Sequence, residues 1–230
     1  MRVAVVTVGD ELLAGDTENT NATWLCEQLT ERGVRVERVT TVPDRLADIA
    51  RVVNEYNAEY DAVLVTGGLG PTHDDLTMDA VAAAFGRGVA EHPDVVAWFD
   101  DHDGYSGTDL AEGTTHLPTG SRMLPNEEGV APGCVVDSVY VLPGVPSEMK
   151  AMFDQVADEF AGEQTYTATV TTSEPESTLL DRMRGVQAEF DVQLGSYPGE
   201  NVRLKVTATD PETAKSAAAW LRERVDLVEE

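Results

Sequence analysis

Val3 to Val8 is a β-branched run without alternation, the pattern of a strand covered on both faces, and it leads through Gly9-Asp10-Glu11 into a helix. On that helix Ala22, Leu25, Cys26 and Leu29 share one face, and Gly33 ends it. A second strand is expected over Val34 to Val42. Pro43 and Asp44 open another helix, in which Leu46, Ile49, Val52 and Val53 recur with helical period, before a third strand at Asp61 to Thr66. This βαβαβ alternation predicts a mostly parallel sheet, doubly wound, with right-handed crossovers and helices on both faces.

Gly67 to Thr77 is a glycine-rich turn before a helix at Met78 to Phe85, and a further helix is expected at Asp94 to Phe99. Asp100 to Gly113 has little periodicity and reads as an exposed loop. Short strands follow at Arg122 to Leu124, Cys134 to Asp137 and Val139 to Leu142. Pro143-Gly144-Val145-Pro146 then turns the chain into a helix burying Met149, Met152, Phe153 and Val156.

After Gly162 the character changes. Thr165 to Thr172 alternates as a half-exposed strand, and Glu176 to Glu189 is helical. Strands at Val192 to Tyr197 and Val202 to Thr209 precede a closing helix at Ala214 to Val228. The expected organisation is therefore an α/β domain over residues 1–162 and a small α+β domain of βαββα order over residues 163–230, near the lower size for independent folding.

The strongest chemical signal is Thr66-Gly67-Gly68-Leu69-Gly70-Pro71-Thr72-His73-Asp74-Asp75-Leu76-Thr77. Glycines directly after a buried strand let backbone amides approach a ligand, and a following helix offers free N–H groups to an anion such as phosphate. The bland alternative is a tight turn with Asp74 or Asp75 as helix cap. Two adjacent carboxylates beside an anion cradle favour the functional reading, since like charges are unfavourable without a cation or proton between them. Glu11 and Asp44 follow the first and second strands. In an open parallel sheet the carboxyl ends of neighbouring strands face one crevice, so Asp10, Glu11, Asp44, Asp74 and Asp75 are expected to line one pocket with the glycine loop. Such hard oxygen ligands suit Mg²⁺ or Mn²⁺ better than Zn²⁺. Taken singly, Asp10 reads equally as a turn residue and Asp44 as a cap after Pro43. Ser147, in the turn after Leu142, is a weaker candidate for a second phosphate contact. Asn19, Thr20 and Asn21 open the first helix, as caps or as ligand contacts. The four histidines and two cysteines fit no metal, redox or triad spacing, and Cys26 and Cys134 are expected to be reduced and buried.

Composition narrows the partners. Forty-two acidic against sixteen basic side chains give a net charge of −26 over 230 residues. That argues against nucleic acid and against anionic membrane surfaces. The first residues lack a signal-peptide pattern and no stretch is apolar enough to span a bilayer, which predicts a cytoplasmic protein. With only three lysines, the acidity is what a surface hydrated at high salt requires, and it suggests a salt-adapted host.

Gly9-Asp10-Glu11-Leu12-Leu13-x-Gly15, Thr20-Asn21-Ala22, Val42-x-Asp44, the glycine loop through Thr77, Pro125-Asn126-x-x-Gly129-x-Ala131-Pro132-Gly133 and Leu142-Pro143-Gly144-Val145-Pro146-Ser147-Glu148-Met149 together resemble the competence/damage-inducible protein CinA family. The resemblance covers its molybdopterin-binding-like (MoaB/Mog-type) domain over about residues 1–160, and the small domain resembles the family's middle domain. It implies a three-layer α/β fold with a pocket at the glycine loop. It also implies divalent-metal-dependent (Mg, Mn or Co) hydrolysis of ADP-ribose to AMP and ribose 5-phosphate, and a symmetric homo-oligomer. On that resemblance Asp44 and Asp75 are catalytic, and Glu11, Asp44, Asp74 and Asp75 form the metal set. Gly67, Gly68, Gly70 and Thr72 cradle the pyrophosphate, with Asn21 and Ser147 as further substrate contacts. The competing reading is a molybdopterin or nucleotide binder, or an adenylyltransferase using the same pocket. Full-length family members often carry a C-terminal deamidase domain that has no counterpart in these 230 residues, so no deamidase activity is expected. The acidic stretch Asp100 to Glu112, and Thr115-His116 before Leu117-Pro118, depart from the family's usual pattern.

Close-spaced carboxylates repel once screening ions are removed. The thermal midpoint is therefore expected to rise steadily from dilute buffer to molar salt, measured by circular dichroism. A midpoint indifferent to salt would overturn the salt-adapted reading.

Overall fold

In the computed structural model, residues 1–70, 72–101 and 113–228 are described, and the chain divides into two compact units, Met1–Gly162 and Glu163–Glu230. The first unit runs β1 (Arg2–Val8), α1 (Asp10–Ala14), α2 (Thr20–Glu31), β2 (Arg35–Val42), α3 (Leu46–Glu59), β3 (Ala62–Thr66), α4 (Thr77–Ala84), β4 (Val89–Glu91) and α5 (Pro93–Asp101). It continues as β5 (His116–Pro118), β6 (Arg122–Leu124), β7 (Gly133–Val136), β8 (Val139–Leu142) and α6 (Pro146–Asp154), closing on a 3₁₀ turn at Ala157–Glu159.

Six strands form one sheet in the order β2-β1-β3-β8-β7-β6. β2, β1, β3 and β8 pair parallel, while β7 pairs antiparallel with both β8 and β6 and so runs against the other five, leaving the sheet mostly parallel as the alternation predicted. Successive residues of each strand bury into opposite layers. Val3, Val5, Leu64 and Leu142 meet Leu25 and Leu29 of α2 and Met149, Met152 and Phe153 of α6. Val6, Val8, Val63, Val65 and Val141 meet Ile49, Val52 and Val53 of α3, Ala80 and Val81 of α4, and Val95 and Phe99 of α5. Unalternating apolar strands are thus explained by cover on both sides, and the result is a three-layer α/β unit.

The structure departs from these expectations in places. The single helix after β1 is two, because Gly15 takes a left-handed conformation (φ 78°) that ends α1, and Asn19 starts α2 afresh with its side chain accepting from the Ala22 N–H at 3.1 Å. The β4–β5 pair was not foreseen, since three residues are too few to show a period. Asp100 belongs to the end of α5 rather than to a loop, and residues 102–112 of that expected loop lie outside the described residues. Cys26 is half-buried and Cys134 buried, and both are free thiols.

The second unit consists of β9 (Tyr166–Thr172), α7 (Glu176–Glu189), β10 (Gln193–Tyr197), β11 (Val202–Ala208) and α8 (Pro211–Arg222). Its antiparallel sheet has the order β10-β11-β9. Val202, Leu204 and Val206 alternate inward against Leu179 and Val186 of α7 and Ala217, Ala218 and Leu221 of α8. The closing helix stops at Arg222, six residues short of the Val228 end that the sequence suggested. Leu227 instead bridges back to Thr172, and Val225 keeps its place in the core without being helical.

Among the described residues no helix is long and apolar enough to cross a membrane. Phe153 is fully buried, edge-on to Trp24 at 5.5 Å and stacked on Phe160 at 5.6 Å. Phe153→Ala is expected to destabilise the protein by about 3–5 kcal/mol, read from denaturant titration, through the lost burial and the cavity left behind.

Candidate functional site

The carboxyl ends of β1, β2, β3 and β8 lie along one rim of the sheet. Thr41, Thr7, Thr66 and Leu142 stand side by side there. The chain leaves β1 for β2 on one side and later adds β3 on the other, so the switch point lies between β1 and β3, where open α/β sheets bind ligands. A cleft with about 410 Å³ of empty space, part of it open to solvent, occupies that place. Its walls are Thr7, Val8, Glu11 and Leu12, Thr17 to Asn21, Thr66 and Gly67, and Gly144 and Pro146.

Two threonines at the rim are buried, Thr7 and Thr66, and a buried hydroxyl needs partners. Both are answered from the start of α2. Asn19 Nδ2 donates to Thr7 Oγ1 at 2.9 Å, and the Thr7 and Thr41 hydroxyls pair at 2.9 Å. Asn21 Nδ2 donates to Thr66 Oγ1 at 3.3 Å and to the Gly144 carbonyl at 2.7 Å, while Thr66 Oγ1 donates to the Pro143 carbonyl at 2.5 Å. Asn21, expected from sequence, is therefore in the cleft. Thr7 and Thr66 were not singled out as rim residues; the signal for them was a hydroxyl ending each of two buried apolar strands.

The glycine loop leaves β3 pressed against β1. A Cβ on Gly67 would meet the Val8 carbonyl oxygen at 2.3 Å, and φ is 105° there and 65° at Gly68. Neither position tolerates a side chain without distortion. Thr77 holds the loop shut, its hydroxyl donating to the Gly67 carbonyl at 2.8 Å and its N–H to the Gly68 carbonyl at 3.2 Å. Further along, Thr72 N–H and Oγ1 donate to Asp75 Oδ2 at 2.9 and 2.6 Å, and Thr72 Oγ1 is also close to Asp74 Oδ1. Gly70 lies under the Asp75 carboxylate. Neither aspartate caps α4, whose N-cap is Leu76 with no side-chain hydrogen bond; the pair instead closes the turn through Thr72.

Asp44 is likewise no cap. The residue before α3 is Arg45, and Asp44 Oδ2 instead accepts the Asp10 N–H at 2.8 Å, which ties the end of β2 to the start of α1. Partial burial pushes the Asp44 carboxyl above its ordinary range. The Asp10 N–H opposes that shift, while the charges of Asp10, Glu11 and Asp74 add to it. The Thr72 hydroxyl holds Asp74 below the ordinary range. Glu11 folds its carboxylate over Gly9. Of the five acidic residues expected to line one pocket, only Glu11 is in the wall of this cleft; Asp44 lies in the field of Asp10, Glu11 and Asp74, and Asp75 is joined to Asp74 through Thr72, so the carboxylates neighbour one another without closing on a point. Among the described residues no three His, Cys, Asp or Glu side chains form a group that would hold a metal ion by themselves.

Ser147 is exposed on the first turn of α6, and the cleft wall there is made by Gly144 and Pro146 instead. In the neighbouring motifs Asn126 and Glu148 brace each other. Asn126 is buried and donates to Glu148 Oε2 at 2.7 Å and to the Ala131 carbonyl at 2.9 Å, while Gly129 leaves room for that glutamate.

A carboxyl with a raised folded pKa binds more protons in the native than in the unfolded state. Stability then falls as pH rises from the ordinary value through the raised one, and the cost is complete above it. Asp44→Asn keeps the acceptor for Asp10 and removes the charge. It is expected to raise the thermal midpoint at pH 7, and the gain should vanish below about pH 4, where Asp44 is neutral in both states. An unchanged or lower midpoint at pH 7 would contradict this electrostatic assignment.

Residues 4–162 match the family described as a probable molybdopterin binding domain, and residues 164–228 match the middle domain of FAD synthase. A protein of Archaeoglobus fulgidus is 34% identical over 97% of both chains, and one of Thermococcus kodakarensis is 36% identical over the whole of both. A CinA-like protein of Citrifermentans bemidjiense is 36% identical over 98% of this chain, which spans 58% of that relative's length. The solved structure of CinA from Thermoplasma acidophilum, a protein of unknown function, aligns with a TM-score of 0.64 at 34% identity, over 69% of this chain and 97% of that one. With its glycine loop, its rim of carboxylates and the order of its motifs, the chain belongs to the CinA-like family built on the probable molybdopterin binding domain.

Proposed function

We propose that the first unit is a divalent-metal-dependent pyrophosphatase that hydrolyses ADP-ribose, or a related dinucleotide, to AMP and ribose 5-phosphate. The observation that carries this reading is Asp44. It is a partly buried carboxylate tied by the Asp10 N–H to the start of α1, the helix whose Glu11 lines the switch-point cleft, and it is held above its ordinary pKa by burial and by the charges of Asp10, Glu11 and Asp74. A site for an anion alone would place Lys or Arg there, whereas these carboxylates call for a cation brought with the substrate.

The donor set fits a Mg²⁺, Mn²⁺ or Co²⁺ ion of that kind. Mg²⁺ is ordinarily held by one or two carboxylates together with substrate phosphates and waters, so a closed cage of protein ligands is not required. Asp44 with Asp74 and Asp75 would hold it, and when bound it supplies charge neutralisation at the pyrophosphate. The chain's own part is to bind and orient. Gly68 and Gly70 would offer backbone N–H donors to phosphate oxygens, while Gly67 and Thr72, whose own donors go to the Leu142 carbonyl and to Asp75, hold the loop in shape, and Asp75, fixed by two hydrogen bonds from Thr72, would orient the attacking water. Water oxygen bonds to phosphorus as the bridging P–O bond breaks, and the departing phosphate leaves as AMP or ribose 5-phosphate with the proton from water taken up at the site.

The description of the matched family favours a second reading, a molybdopterin or nucleotide binder without turnover. One assay separates the two: purified protein in high salt with ADP-ribose, with and without each metal, following AMP. Metal-dependent AMP supports the hydrolase, and its absence from folded protein favours the binder. Asp75→Asn is isosteric and is expected to lower AMP release at least about 100-fold with the thermal midpoint little changed. Full activity in the folded variant would sink the mechanism.

A further inference from the structure

The Asn21 side chain has a fixed orientation. The Gly144 carbonyl accepts only, and the Thr66 hydroxyl has spent its one proton on the Pro143 carbonyl, so both require an N–H from Asn21. Turning the amide over would set its oxygen against two acceptors. The Oδ1 atom of this cleft-lining residue is thereby left buried just behind the wall, and among the described residues it accepts from no donor. A buried acceptor left unpaired costs free energy that a ligand donor recovers.

The surrounding wall indicates which ligand group brings that donor. Besides Asn21 the cleft is lined by Glu11 and Glu18, by Asn19 and threonines that include Thr17 and Thr20, and by the apolar Val8, Leu12 and Pro146, with no Lys, Arg or His. Acceptors beside apolar surface suit a flat heterocycle bearing N–H groups and disfavour phosphate, which belongs at the glycine loop. An exocyclic amino group has two N–H donors, one for Oδ1 and one for a neighbouring acceptor, whereas a ribose hydroxyl has one.

We propose that Asn21 is the specificity-determining acceptor of the site, its Oδ1 receiving the exocyclic amino group of a nucleobase or pterin ring seated between α1, α2 and the β8–α6 turn. This rests on the reading of the cleft as the substrate pocket, and not on whether the bound ligand is hydrolysed.

Calorimetric binding to the full chain in high salt tests it with two ligand pairs: ADP-ribose against its analogue with hydrogen in place of the adenine amino group, and pterin against its 2-deamino counterpart. ADP-ribose lacking one ribose hydroxyl of the adenosine serves as the third arm. The amino form of at least one pair should bind at least about tenfold tighter, and Asn21→Ala should reduce that ratio to within about twofold of unity. A purely structural role for Asn21 would weaken both members of a pair alike and leave the ratio standing. Equal binding of both members by the natural chain overturns the proposal, as does a tenfold loss with the deoxyribose analogue alone, or binding of no member of either pair. If Asn21→Ala does not fold, the ratios in the natural chain decide. Binding with the expected ratio but without AMP release would end the hydrolase reading and leave the amino-recognition proposal intact.

Discussion

Everything at the rim depends on how closely β3 approaches β1 as it leaves the sheet. Gly67 lies so near the Val8 carbonyl that a single added carbon would have to displace backbone, and Gly144 comes up against Gly67 from the far side. Three strand ends are thereby drawn together, and hydrogen bonds from outside the sheet help to complete them. Asn19 and Asn21 supply these from the first turn of α2, and Thr77 supplies them from the first turn of α4. The cleft is the space this convergence leaves.

The layered architecture was legible because it follows from patterns with many residues behind them. Unbroken apolar strands alternate with amphipathic helices, and each alternation is explained by burial into the two core layers. The second unit was legible in the same way through the alternation of β11. What failed to show were features of a few residues. Gly15 breaking one helix into two, the three-residue β4 and β5, and the chain leaving α8 at Arg222 to bridge at Leu227 depend on tertiary contacts that no local period records.

At the site, the glycine loop and its two aspartates were readable as types in a spacing, but their partners were not. Sequence left Asp44 and Asp74 or Asp75 open as helix caps, since aspartate is the usual cap, yet Asp44 reaches 34 residues back to Asp10 and the loop pair serves Thr72. Ser147 and Glu148 sit in one motif and do different things: the serine faces solvent and the glutamate braces Asn126. Asn21 illustrates the limit best. Its presence in the site was readable, but the direction in which its amide points follows only from the donors and acceptors of Thr66, Pro143 and Gly144.

The acidic rim has a kinetic consequence. Glu11 and Glu18 line the cleft of a chain with a net charge of −26, so an anionic ligand approaches against a repulsive field. Screening shortens the reach of that field. Where electrostatic steering makes most fast encounters slow down in salt, an anion approaching this cleft meets less repulsion as ions are added.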